Sequence, residues 1–188
     1  LKKGLGVLLA VVVIIVLIAG SVIGKYNSMV TMSENVDSKF SDIDTQLQRR
    51  ADLIPNLVNT VKGYMAHEQS IIDSVTTART KLVNASTVAE KAEADTALTS
   101  ALNNLLVVVE NYPDLKASSN FTQLTDELSG TENRIATARR DYNNAVKDYN
   151  AFIKKFPQSI IAGIFNFDAK EYFKASENAN EVPQVSFN

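Results

Sequence analysis

Residues 5–23, LGVLLAVVVIIVLIAGSVI, form an uncharged apolar run of 19 residues. As a helix rising 1.5 Å per residue, it is just long enough to cross a bilayer core of ~30 Å. Leu5, Leu9, Val13, Leu17 and Ile23 mark its length, with Lys2 and Lys3 on one side and Lys25 on the other. A secretory signal peptide has a shorter apolar stretch, of about 7–15 residues, followed by a small-residue cleavage site. Ala19-Gly20-Ser21 has that small-residue character, but the run continues through Val22 and Ile23. With no cysteine in the chain, lipoprotein processing is excluded. A core helix with no polar face would be out of place in a chain this small. A retained membrane anchor is therefore expected over residues 1–24, with a body over 25–188 and the lipid bilayer as its first partner.

Orientation is read from Lys and Arg alone. Two lysines stand before the span, while Lys25 and Lys39 lie within the next stretch after it. The compact pair at the short end favours a single pass in the cell membrane, with the N-terminus inside and the body outside. The sequence opens on Leu1, so a few residues before it are expected.

The body carries 21 acidic against 17 basic residues, a formal charge of −4. That balance excludes a nucleic-acid partner, which calls for a basic patch, and argues against electrostatic docking of the whole body on anionic lipid. Without cysteine there is no disulfide framework and no thiolate metal site. Seven glycines and four prolines suit long helices rather than many turns.

The first body segment carries a heptad pattern. Its a positions are Val36, Ile43, Arg50, Leu57, Tyr64, Ile71 and Ala78. Its d positions are Phe40, Leu47, Ile54, Val61, Glu68, Val75 and Leu82. A seam kept this long is a coiled-coil or bundle signal. The pattern predicts one helix over 26–83, about 85 Å if continuous. Pro55 lies inside it and removes a backbone bond, which predicts a kink near 55 rather than a turn, because the heptad keeps its phase across it. A second helix is expected over 87–110, opened by a Thr87/Glu90 capping box and striped by Ala94, Leu98, Ala101, Leu105 and Val109. Pro113 bounds it. A third helix is expected over 121–156, with a three-and-four-spaced seam running from Phe121 through Ile135 and Tyr142 to Phe156. Short helices are expected within 158–177, one before Gly163–Asn166 and one over Asp168–Ser176. This apolar tail reads as a lid on one end of the bundle or, alternatively, as a membrane-surface or partner contact. The fold class is all-α: a single N-terminal transmembrane helix followed by a long antiparallel bundle of three long helices plus short C-terminal ones.

Helix one is about twice as long as helix two. In an up-down-up chain, Val36, Phe40, Ile43 and Leu47 would then lack an intrachain partner. Burying each such side chain is worth roughly 1.5–3 kcal/mol, so a bare seam is unfavourable. Either the tail covers these residues or copies of the chain pack there. The expectation is a homo-oligomer contact at these four positions.

Two charges fall on the seam, Arg50 and Glu68. At about 27 Å apart along one helix they cannot pair with each other. Each requires a partner from another helix or chain, with candidates in Thr131–Arg134, notably Glu132 and Arg134, and in Ala138–Asp141. A register-fixing polar contact is the plain reading of such residues, and ligand binding the sharper one.

Catalytic chemistry finds little footing. His67 is the only histidine, and Ile71 stands where a zinc-peptidase helix would place a second. One histidine without cysteine supplies neither a zinc site nor a bundle di-iron site, and no glycine-rich phosphate loop occurs. No cofactor, metal or catalytic residue is assigned.

Several blocks resemble the LemA family: Gln46–Val58, Val61-Lys62-Gly63-Tyr64, His67-Glu68, Asn111–Ala117, Thr131–Ala136, Ala138-Arg139-Arg140, Tyr142-Asn143 and the closing Pro183, Val185 and Phe187. Phe40 departs from it, standing where the family often has Trp. The resemblance covers the body and the anchor. It implies a bacterial single-pass membrane protein with an antiparallel helical bundle outside the span, and it implies no reaction. A magnetosome-associated branch of the family implies membrane organisation, and other links are to cell-envelope processes. The expected function is a self-associating scaffold that organises the envelope or membrane. The alternative is an envelope adaptor or sensor that binds another envelope protein or a ligand.

Overall fold

The computed structural model describes residues 2–65 and 67–174. The fold is all-α, and the described residues form six helices in the order α1 Lys2–Lys62, α2 Gln69–Asn84, α3 Val88–Val109, α4 Pro113–Lys116, α5 Ser119–Lys154 and α6 Gln158–Phe165. Contacts divide the chain into two compact units. One holds residues up to 39 together with 143–170; the other holds 40–142 and the residues from 171. α1 continues through position 24 without a break.

In the unit of residues 40–142, four helices alternate in direction. The side chain of Arg79 on α2 reaches the backbone of Ala51 on α1, consistent with reversal through the 63–68 loop. On α3, Lys91 pairs with Asp44 and Asp95 with Arg50, so α3 runs parallel to α1. On α5, Glu127 pairs with Arg49 and Tyr142 packs on Phe40, so α5 runs antiparallel to α1. Ile43, Leu47, Ile54, Leu57 and Val61 of α1 are buried, as are Leu98 and Leu105 of α3 and Ile135 and Tyr142 of α5.

The expected single helix over 26–83 is two helices. α1 stops at Lys62, followed by Gly63, a residue unfavourable in helix interiors, and Tyr64 and Met65 both donate to the Val61 carbonyl. The connection spans six residues, close to one heptad, so the apolar phase reads on across a chain reversal. Beyond it Tyr64 is exposed and Ile72 rather than Ile71 is fully buried, while Val75, Ala78 and Leu82 are buried on α2 as expected.

Pro55 lies inside α1 without ending it. A proline withholds its N–H from the carbonyl four residues earlier, here that of Ala51. Arg79 Nε donates to that oxygen at 2.8 Å, so the orphaned acceptor is satisfied from the neighbouring helix.

α3 opens on a two-way cap. The Glu90 N–H donates to Thr87 Oγ1 at 3.2 Å, and the Thr87 and Ser86 N–H groups donate to Glu90 Oε2 at 3.0 and 2.8 Å. These donors pull the Glu90 carboxyl down from 4.5 to about 2, the backbone bond from Ser86 first. The folded chain therefore holds Glu90 ionised where the unfolded chain does not. The stabilisation is complete above about 4.5 and is lost as pH falls toward about 2. Glu90→Ala is expected to lower Tm at pH 7, with the gap from the parent narrowing over that acid window in a pH series of thermal melts.

The unit of residues up to 39 and 143–170 is built differently. Residues 4–21 of α1 are exposed throughout, and cover begins at Val22, with Met29 and Val36 fully buried. Ala145, Val146, Tyr149, Asn150 and Ile153 of α5 and Gln158, Ile161 and Ala162 of α6 are buried in the same unit. α5 ends at Lys154, so the expected seam residue Phe156 lies beyond it and is 82% exposed. Asn166 closes α6 in the left-handed conformation, and the Phe167 N–H donates to Ala162 O.

No helix forms over 168–174. Asn150 uses its side-chain amide to bond both the N–H and the carbonyl of Lys170 at 2.9 Å, and the Tyr142 hydroxyl donates to the Glu171 carbonyl at 2.8 Å. Backbone groups committed to α5 side chains are not free for helical bonds. The remainder of the expected helix, and Pro183, Val185 and Phe187, lie outside the described residues.

Candidate functional site

Among the described residues, the strongest concentration of buried charge lies in the unit of residues 40–142. Arg50 occupies an a position of α1, and the apolar residues around it bring it inward, leaving it 4% exposed. Asp95 sits on α3, one residue after Ala94 and three before Leu98, on the buried face, and is 1% exposed. Glu132 and Arg139 come from α5. Arg50 Nη1 donates to Asp95 Oδ1 at 2.7 Å and lies 2.6 Å from Glu132 Oε2. Arg139 Nη1 is 3.5 Å from Asp95 Oδ2 and its guanidinium lies 4.8 Å over the Phe173 ring. Three helices are thereby tied through one guanidinium.

Burial pushes the Asp95 carboxyl above its ordinary value, Glu132 adds to this, and Arg50 and Arg139 oppose it. A carboxyl whose folded value is raised stabilises the fold when protonated and loses that contribution as pH rises through the raised value. Desolvating this cluster therefore carries a cost at neutral pH, which only the pairing offsets. Arg50 Nε has no hydrogen-bond partner. It lies beside a cleft of ≈340 Å³, whose polar lining includes Thr99, Asn103, Ser129 and Glu132.

The arrangement holds helices in register. Asp95 is pinned by two guanidinium groups, and among the described residues no group of three or more His, Cys, Asp or Glu is placed to hold a metal ion.

The four polar positions singled out from sequence do not form one site. Arg50 and Glu132 meet. Arg134 lies elsewhere on α5, with Nη2 3.4 Å from Glu127 and Nε 3.3 Å from Gln46. Glu68 is not on a seam, because α1 has ended; it stands at the N-cap position of α2 and accepts from the Tyr112 hydroxyl at 3.1 Å. Asp95 and Arg139 complete the cluster. Arg139 falls within the expected partner stretch, whereas Asp95 was not expected.

The expected oligomer contact changes meaning. Val36, Ile43 and Leu47 are buried within the single chain, and Phe40 is half-buried with its ring 5.7 Å from Tyr142. α5, with 36 residues, is long enough to cover what α3 does not, so the seam is not bare. The anchor positions Leu5, Leu9, Val13, Leu17 and Ile23 are all exposed, on a helix long and apolar enough to cross a membrane.

The LemA family model matches residues 39–187. The magnetosome protein MamQ 2 of Paramagnetospirillum magneticum is 31% identical over 86% of this chain and 69% of its own length. The magnetosome protein MamQ of Magnetospirillum gryphiswaldense is 28% identical over the same shares. Protein LemA of Metamycoplasma hominis is 28% identical over 82% of this chain and 71% of its own length.

Proposed function

The chain belongs to the LemA family, and from that premise we propose that this membrane-associated helical protein is a non-catalytic, self-associating scaffold organising the cell envelope or membrane. The carrying observation is that its most distinctive polar groups are spent on one another. Arg50, Asp95, Glu132 and Arg139 tie α1, α3 and α5 together. Relatives named as magnetosome proteins support a role at a membrane-bound structure. The N-terminus lies inside and the body outside, in keeping with Lys2 and Lys3 at the short end of the span. Self-association uses a surface other than the buried seam. Leu106 and Val107 on α3, the latter 70% exposed, offer one.

A second reading is an adaptor or sensor. The cleft favours it, because Arg50 is among its lining residues, carries a buried Nε without a hydrogen-bond partner, and borders a space large enough for a small polar group. Mass measurement of the full-length protein in mild detergent separates the two. A uniform multi-copy particle that dissociates on Val107→Glu is the expected result for the scaffold. A monomer that co-purifies with a different protein would replace it with the adaptor.

A further inference from the structure

α6 turns its apolar residues in two directions. Ile161 and Ala162 are buried, while Ile160 is 55% and Ile164 68% exposed, with Phe156 more open still. No charged residue occurs between Lys155 and Asp168. An exposed face this apolar on so short a segment requires an occupant.

Its position says which. The span ends at Ile23, and Tyr26 lies three residues on, ~4.5 Å further along the helix axis. The Phe165 and Phe167 rings meet the Tyr26 ring edge-on, at centroid distances of 4.9 and 5.5 Å. α6 therefore ends at the depth where a bilayer spanned by residues 5–23 has its headgroup boundary. Cover of α1 starts at Val22, still inside the apolar run. The segment after α6 returns along α1, since Lys170 Nζ is 2.9 Å from Asp37 Oδ1. α6 thus belongs to the membrane end of this unit. Aromatic rings with lysines beside them are the side chains that favour that boundary, and Lys25, Lys154 and Lys155 flank the patch.

We propose that α6 is a second membrane contact, an interfacial helix that seats Phe156, Ile160 and Ile164 in the leaflet from which the anchor emerges. Such helices sit ~5–10 Å into the boundary between headgroups and acyl chains. The anchor fixes the protein to the bilayer, and α6 fixes how α1 stands in it: two attachments on one compact unit restrain tilt and rotation. The inference rests on the membrane reading of residues 5–23.

The chain has no cysteine, so single-site labelling is clean. The full-length protein carrying Ile164→Cys, Phe156→Cys, Val107→Cys or Val13→Cys is labelled with an environment-sensitive fluorophore and placed in phosphatidylcholine/phosphatidylglycerol nanodiscs. Nitroxide lipids with the quencher near the headgroup or deep in the chain are then added. The expected result is loss of emission at 164 and 156 with the shallow quencher, at 13 with the deep one, and at 107 with neither. Ile160→Gln with Ile164→Gln should weaken quenching at 156 while leaving far-UV helicity intact. Quenching at 13 but water-like emission at 156 and 164 would overturn the interfacial helix and leave the anchor standing. Shielded emission at 164 that ignores both quenchers would overturn it in favour of a second copy. No quenching at 13 would remove the anchor and the inference together.

Discussion

Replacing Arg50 by methionine is expected to cost the fold ~3–5 kcal/mol, because it leaves the buried Asp95 carboxylate without its main partner. For a chain of this size, that corresponds to a fall in Tm on the order of 6–20 °C. The measurement is thermal unfolding of the full-length protein in mild detergent, followed by circular dichroism at several pH values. The loss should shrink as pH falls through the raised value of Asp95, since a protonated Asp95 no longer presents an uncompensated charge. Arg139, at 3.5 Å, retains part of the interaction, and Glu132 loses its contact to the same guanidinium. Arg50→Met combined with Asp95→Leu should recover much of the stability, because an apolar pair of similar volume removes both desolvation costs. A single variant within ~1 kcal/mol of the parent at pH 7 would show that the cluster is not what ties α1, α3 and α5 together.

Leu47→Ala is expected to destabilise the protein by ~2–5 kcal/mol, the range for opening a leucine-sized cavity in a packed core. The same substitution should leave the mass of the detergent-solubilised particle unchanged. The two readouts together separate a core residue from a contact between copies. Leu47 is 1% exposed within one chain. A drop in particle mass with no loss of unfolding stability would return this seam to the subunit interface. Chemical denaturation read beside light scattering makes both measurements on one sample.

The a and d positions of α1 from Val36 to Val61, and of α5 from Phe121 to Tyr149, were legible because each lies on an uninterrupted helix with a partner running alongside. Past Val61 the same arithmetic misled. A loop nearly one heptad long keeps apolar phase while reversing the chain, so periodicity alone could not distinguish one helix from two. Gly63 after Lys62 was the local signal for the stop. The expectation of a bare seam follows from weighing only the second helix against the first; α5 runs antiparallel beside α1, and Val36, Ile43 and Leu47 are buried within one chain. Asp95 is hard to read from sequence for another reason. An acidic residue on a helix usually faces water, and only its placement between Ala94 and Leu98, on the buried stripe, marks it as internal. Apolar spacing in the tail predicts helix but carries no information about side-chain amides such as that of Asn150, which claims the backbone at Lys170.

Pro55 and Arg79 form a single device written in two places. The proline creates a vacant acceptor on Ala51, and the arginine exists, in part, to fill it. Neither residue has its full meaning alone. With an ordinary residue at 55, the backbone would occupy that oxygen and the guanidinium would be released from its post. With Pro55 kept, an apolar residue at 79 would strand the carbonyl. Each position therefore sets the terms on which the other is free to change. A relative that loses the proline has no remaining reason at this carbonyl to keep the arginine, and the order of the two losses matters: the proline can go first without stranding the oxygen, but the arginine cannot.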